Sequence, residues 1–173
     1  MPQEKVFIKQ SFALLGSMAN LSDPIVWCKP TYLVAPGATV KVGNFFWSST
    51  APAGSDAENQ DRAWAQGTGT GTPAGFAMFT PIYPLDANQS ASLIIPEKFP
   101  ILGAEKFAAW VYTDQTVSIG QRVFATLSDG SLQFGAADAT ITGAIATSCY
   151  VKSVQSGQDG NELALNFVQI SNL

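Results

Sequence analysis

The apolar residues of this chain come in short runs, cut by glycine, proline and small polar residues. The strongest pattern lies between Phe107 and Phe134. Phe107 to Thr113 is aromatic and β-branched, which suits a strand packed on both faces. Ser118-Ile119-Gly120-Gln121 breaks the run, and Arg122 to Leu127 resumes it. Asp129-Gly130 offers the positive φ of a two-residue type I′ hairpin, and Leu132-Gln133-Phe134 returns as its partner. The pattern predicts three strands in meander order, with Trp110 and Phe124 in the core.

A second hairpin is expected at the C-terminus. Ser148 to Val154 runs up, Ser156 to Gly160 turns, and Glu162 to Ile170 runs back as a strand locked into the sheet. Leu163, Leu165 and Phe167 share one face of the return strand while Val168 and Ile170 fall on the other. That switch predicts a bulge or an end covered on both sides.

Upstream, Pro36-Gly37 fits the centre of a turn. Thr39 to Val42 and Phe45-Phe46-Trp47 read as strands, with Gly43-Asn44 between them as a hairpin or a bulge. Residues 48–74 form the most loop-like stretch, and Trp64 stands out in it as a large aromatic among polar neighbours. Such a tryptophan either pins the loop to the core or projects as an anchor for a partner. Gly75 to Phe79 is a compact apolar strand. Pro81, Pro84, Pro96 and Pro100 then cut residues 80–103 into short pieces, leaving Ser92 to Ile95 as one brief strand. With about eight to ten short antiparallel strands and no helical face, the fold class is all-β, a single barrel-like or sandwich domain.

Residues 1–35 carry no sustained period of 3.6 or 2.0. Val6-Phe7-Ile8, Phe12 to Leu15, Met18 and Ile25-Val26-Trp27 are separate apolar patches punctuated by Gly16, Pro24 and Pro30. This predicts an extended N-terminal arm over 1–35, laid on its own domain or on a partner, ahead of a β-domain at 36–173; the plain alternative is an edge strand plus loop of an ordinary domain. Phe7, Phe12, Leu14, Leu15, Met18 and Trp27 of the arm, with Trp64 of the loop, are the candidate protein-interaction residues.

Composition changes the picture in one respect. Charged residues make up 13% of the 173 residues, about half the ~25% usual in soluble domains. A surface of small neutral residues suits lasting contact with protein, since few charges need desolvating; it equally suits a Thr- and Ser-surfaced β-protein. The net charge is −4, with lysine and arginine scattered, so no basic stripe exists for a phosphate backbone. No apolar run reaches the ~18 residues of a membrane span, and the N-terminus lacks a signal-peptide core. Synthesis in a cytoplasm is expected, with Cys28 and Cys149 as free buried thiols.

Chemistry finds little to work with. There is no histidine, which removes the usual general base, the serine triad and most zinc or haem sites. Gly67 to Thr72 alternates glycine and threonine but lacks the P-loop lysine, and reads as a flexible loop. Asp56 to Asp61 carries alternating oxygens without the glycine and distal glutamate of an EF-hand. The remaining aspartates sit in predicted turns, where local hydrogen bonding favours them. No catalytic, cofactor or metal residues are assigned, and the chain is not expected to be an enzyme.

Several motifs fall in one order: Phe12 to Met18, Gly43-Asn44-Phe45-Phe46-Trp47, Pro73-Ala74-Gly75-Phe76-Ala77, Ile101-Leu102-Gly103, Trp110-Val111, Ile119-Gly120-Gln121-Arg122-Val123-Phe124, and a closing apolar strand to Ile170. In this the chain resembles the structural cement, or decoration, proteins of tailed-phage capsids. Residues 48–74 and 80–100 depart from the pattern. The resemblance implies a β-barrel-like domain on the outer surface of the virion, assembled in the host cytoplasm. It implies the major capsid protein as partner and a homotrimer that ties neighbouring capsid subunits together. Two other readings stay open: a virion-surface module binding a glycan or receptor through Trp27 and Trp64, and a tail or connector component.

Overall fold

A computed structural model describes residues 15–19, 25–29, 31–50, 62–80, 93–156 and 166–172. Among them are fourteen strands, more than sequence alone suggests, because the proline-cut stretches still form two-residue strands. The first nine are β1 (Val26–Trp27), β2 (Thr31–Val34), β3 (Val40–Lys41), β4 (Phe45–Ser49), β5 (Arg62–Gln66), β6 (Gly75–Ala77), β7 (Ile94–Ile95), β8 (Pro100–Ile101) and β9 (Gly103–Lys106). Seven of them make one sheet in the order β1-β9-β6-β4-β5-β2-β8, while β3 and β7 pair separately. β8 leads through the single residue Leu102 into β9, so the pairing order returns to one stretch of chain and the sheet curls on itself. One pairing, β2 with β5, is parallel. Residues 31–34, expected in the arm, are thus a strand of the sheet, flanked by β5 and β8.

The remaining strands are β10 (Ala108–Thr113), β11 (Arg122–Thr126), β12 (Leu132–Gly135), β13 (Ala144–Ser156) and β14 (Asn166–Ser171). They form an antiparallel sheet in the order β10-β14-β13-β11-β12. The predicted meander is therefore split. β11 and β12 form the expected hairpin, but the C-terminal hairpin inserts between β11 and β10. The turn at Ser118 to Gln121 carries the chain over, docking on β13 through Gly120 N–H to Val151 O and Val151 N–H to Gln121 O, both 2.9 Å. The ladder's register shift lies in β13, between Val151 and Ser153.

Consecutive buried aromatics follow from strand alternation with both faces covered. Phe45 and Trp47 of β4 face the five-stranded sheet and join Phe76, Phe107, Val123, Val151, Val168 and Ile170 in the core between the layers. Phe46, between them, points the other way into the curl, with Val34, Val42, Ala77, Ile95 and Ile101. Its ring lies over Gly75 and Gly103, where a Cβ would come 3.0 and 2.8 Å from Phe46 Cζ. Phe76 stacks on Phe107 at 4.4 Å and 13°, and Phe45 meets Phe76 edge-on at 5.3 Å, geometries favoured by the ring quadrupole. Trp110 and Phe124 are buried, as expected; Phe124 alternates away from the inter-sheet core and lies beside Gly135.

Two local expectations change. The β11–β12 turn is not type I′: Gly130 has φ 71° and Asp129 does not have positive φ. Gly130 N–H instead donates to Thr126 O at 2.8 Å, and Asp129 Oδ1 accepts from Ser131 N–H and Oγ–H at 3.0 and 2.6 Å. Gly43-Asn44 is a corner rather than a hairpin, turning the chain from β3, which pairs with β7, into β4.

Candidate interaction surface

Residues 16–19 and 26–28 run antiparallel along the outside of the β9–β10 stretch. Gly16 N–H donates to Trp110 O (2.8 Å), Trp110 N–H to Ser17 O (2.9 Å) and Ala19 N–H to Ala108 O (2.9 Å), with Met18 bridged to Ala109. Further along, Val26 pairs with Lys106 and Trp27 with Ala104, and Cys28 N–H donates to Gly103 O at 2.9 Å. These two pieces form a strap that touches both sheets.

The strap is where apolar side chains meet solvent. Among the described residues the exposed large hydrophobics are Met18 (42%), Val26 (44%), Trp27 (40%), Ile119 (71%) and Tyr150 (37%). Three of these five lie on the strap. Met18 and Trp27 are registered five residues apart on β9–β10, roughly 17 Å at strand rise. Beside Trp27 opens a mainly apolar cleft of about 240 Å³, walled by Tyr32, Phe99, Pro100 and Ile101. It forms where the curled sheet brings β1, β2 and β8 together.

The candidate residues from sequence separate accordingly. Met18 and Trp27 share the strap. Leu15 is half-buried and packs against the inter-sheet core, close to Gly43. Trp64 lies in β5, paired across from Ser49 and Leu33, and is only 4% exposed, so it is no open stacking platform. Phe7, Phe12 and Leu14 lie outside the described residues. Sequence reasoning missed Val26 and the cleft; Val26 sits in the same apolar run as Trp27, but the cleft depends on sheet closure.

The Gly-Thr run is a loop, as expected, with Thr68, Thr70, Gly71 and Thr72 exposed, and it is anchored on Trp47. Trp47 Nε1–H donates to Gly71 O at 2.9 Å, and a Cβ on Gly69 would collide with the Trp47 ring. Among the described residues, no group of three or more His, Cys, Asp or Glu side chains could hold a metal ion. Both cysteines are free and buried. Burial, with a smaller contribution from Glu105, pushes the Cys28 thiol up to about 12. Burial pushes Cys149 up to about 12 as well, against a Thr147 hydrogen bond that lowers it. Thiols so protonated are poor nucleophiles and poor metal ligands. No helix of the described residues is long and apolar enough to cross a membrane.

The fold is similar to that of a chain in a solved structure titled "The capsid of Myoviridae Phage XM1", with a TM-score of 0.56 at 13% identity, covering 99% of this chain and 98% of that one. A comparison with curated proteins gave no match. Residues 2–166 match the family described as Structural cement protein (E217 gp24/Pam3 gp6). With nearly its whole length matched, the chain belongs to the phage structural cement protein family.

Proposed function

We propose that this protein binds the outer surface of the assembled major capsid shell and stabilises it, as a homotrimer. Family membership over residues 2–166 carries this reading and gives the chain a structural role in the phage capsid. A structural virion protein has no need of a catalytic centre, which fits the high thiol pKa values. The stabilising physics is mass action: a ligand that binds only the assembled shell lowers the free energy of that state. Repetition over many sites adds avidity, so each contact can be modest. The low charge and the apolar strap suit such a contact. Neither nucleic acid nor membrane is a partner in this reading. The N-terminal residues, with Phe7, Phe12 and Leu14, extend the same contact onto a neighbouring subunit.

Co-sedimentation with purified expanded capsids tests the proposal, with light scattering to give the oligomer mass. Saturable binding and a raised capsid rupture temperature are expected; a protein that stays in the supernatant at every concentration refutes it. Removing residues 1–14 should weaken binding while leaving the domain folded. Wild-type affinity in the truncated protein would exclude the N-terminal contact. The glycan-binding alternative keeps only Trp27 of its two platforms, because Trp64 is buried.

A further inference from the structure

We infer that the free edge of β1 receives an extended segment of the major shell protein, which adds a strand beside Trp27 and lodges an apolar side chain in the adjoining cleft. This rests on the proposed shell binding and names the surface and the kind of segment that does it.

β1 is the terminal strand of its sheet. Cys28 N–H points to β9, where it donates to Gly103 O. The β1–β9 register shifts between Val26 and Trp27, with the extra residue, Glu105, on the β9 side. Alternation along β1 itself is kept, so with Cys28 facing β9 the Trp27 N–H and C=O point away from it. Nothing among the described residues pairs with that side. An unpaired edge with apolar side chains is a template for another strand, and folded proteins commonly blunt such edges with charge, proline or cover. Here the two residues of the strand are valine and tryptophan, on opposite faces and both more than a third exposed.

The cleft narrows the choice of occupant. Its volume, about 240 Å³, lies below the ~300–1,000 Å³ of small-molecule pockets. It has room for one apolar side chain or for a small apolar molecule, so the adjoining edge decides between them. A sugar or small apolar molecule would leave the Trp27 main chain unpaired. An extended peptide meets both demands, since its main chain pairs with the edge while alternate side chains turn toward pockets. A second copy pairing β1 with β1 would join only the two residues that each strand offers. A longer strand from the shell can continue along the strap toward Met18, which lies roughly 17 Å from Trp27 along β9–β10.

Hydrogen exchange of the full-length protein, free and bound to expanded capsids, tests this directly. Amides of residues 25–28 should exchange about tenfold or more slowly on the shell, while the β11–β12 hairpin is unchanged. Val26→Lys, which charges the edge, and Thr31→Trp, which fills the cleft from its exposed rim, should each weaken shell binding about tenfold with an unmoved melting temperature. If both variants bind as wild type, or protection maps elsewhere on a protein that still binds, the edge inference is overturned and shell binding survives. If protection of 25–28 instead rises with protein concentration in the absence of shells, a second copy occupies the edge and the inference is overturned. If wild-type protein fails to bind at all, the shell-binding reading fails first and takes the inference with it.

Discussion

The two main sheets treat their outer edges in opposite ways. At β10, the edge of the five-stranded sheet, residues 16–19 supply main-chain partners at 2.8–2.9 Å to Ala108 and Trp110. At β1, the edge of the curled sheet among the described residues, Val26 and Trp27 are exposed and Trp27 lines a cleft. One strap does both jobs, sealing the C-terminal layer and leaving its own outer side unpaired. The C-terminal layer has its hydrogen bonding closed on that side, and in the proposed reading the curled sheet is the layer that meets the shell. If that reading holds, binding resides in a strand edge, which no single residue type announces in the sequence.

The comparison can be broken most forcefully from inside. Phe46→Ala should cost about 3–5 kcal/mol, as truncation of a fully buried phenylalanine leaves a cavity. The ring spans the curl onto Gly75 and Gly103, so collapse cannot easily fill the gap. Denaturant unfolding reads the loss, and a cost under about 1 kcal/mol would mean that the curl is not a packed core. Asn172→Ala is expected to cost about 1–3 kcal/mol by stripping hydrogen bonds from part-buried main-chain groups. Asn172 Oδ1 accepts Phe107 N–H at 2.8 Å, and its Nδ2–H donates to Glu105 O at 2.6 Å. It ties the end of β14 to the junction of β9 and β10, so its loss should loosen one layer from the other. Earlier exchange of β10 amides than of β6 amides would show this; uniform exchange would argue that the layers unfold as one unit.

The thiols compare the layers by pH, since Cys28 lies in the curl and Cys149 in the inter-sheet core. Burial pushes each thiol up from an ordinary value of 9.0 to about 12. A raised folded pKa means that the unfolded chain releases the proton first as pH rises. The contribution is therefore fully present below about pH 9 and is lost as pH climbs toward 12. Unfolding midpoints should fall between pH 9 and 11, and Cys149→Ala should flatten the fall. A midpoint constant across that range would show that the thiols titrate freely in the native state.

Much of the fold was legible in the sequence because its signals are local. Phe45-Phe46-Trp47 between glycine-bearing turns marks a strand buried on both faces, and the β11–β12 and β13–β14 pairs follow from alternation and turn residues. Strand order was not legible, because the placement of β14 between β10 and β13 depends on pairing across more than fifty residues. Gly67 to Thr72 is the loop the sequence suggests, but its anchor was not legible for a related reason. Alternating glycine suggests freedom, yet Gly69 is there to let the chain lie on Trp47, a contact visible only in three dimensions. Of the candidate interaction residues, Met18 and Trp27 were recognisable as large hydrophobes in an irregular segment. Trp64 carried the same signal and is buried in β5, because sequence reports the size of a side chain and not what covers it.

The smallest expected effect on stability is also the sharpest test of the comparison. Trp27→Asp alters a residue that is 40% exposed on an edge strand of two residues, so its cost should be about 1 kcal/mol, well below that of a fully buried ring. Its unfolding midpoint should fall only slightly while its shell affinity drops about tenfold or more, as for loss of a tryptophan hot spot. Phe46→Ala should do the reverse, lowering stability while the folded fraction binds normally. If Trp27→Asp destabilises the protein by as much as a core change, the strap is part of the scaffold. The division between a sealed layer and an open edge would then fall. If each variant moves only its own measurement, stability and attachment are carried by separate residues of one sheet.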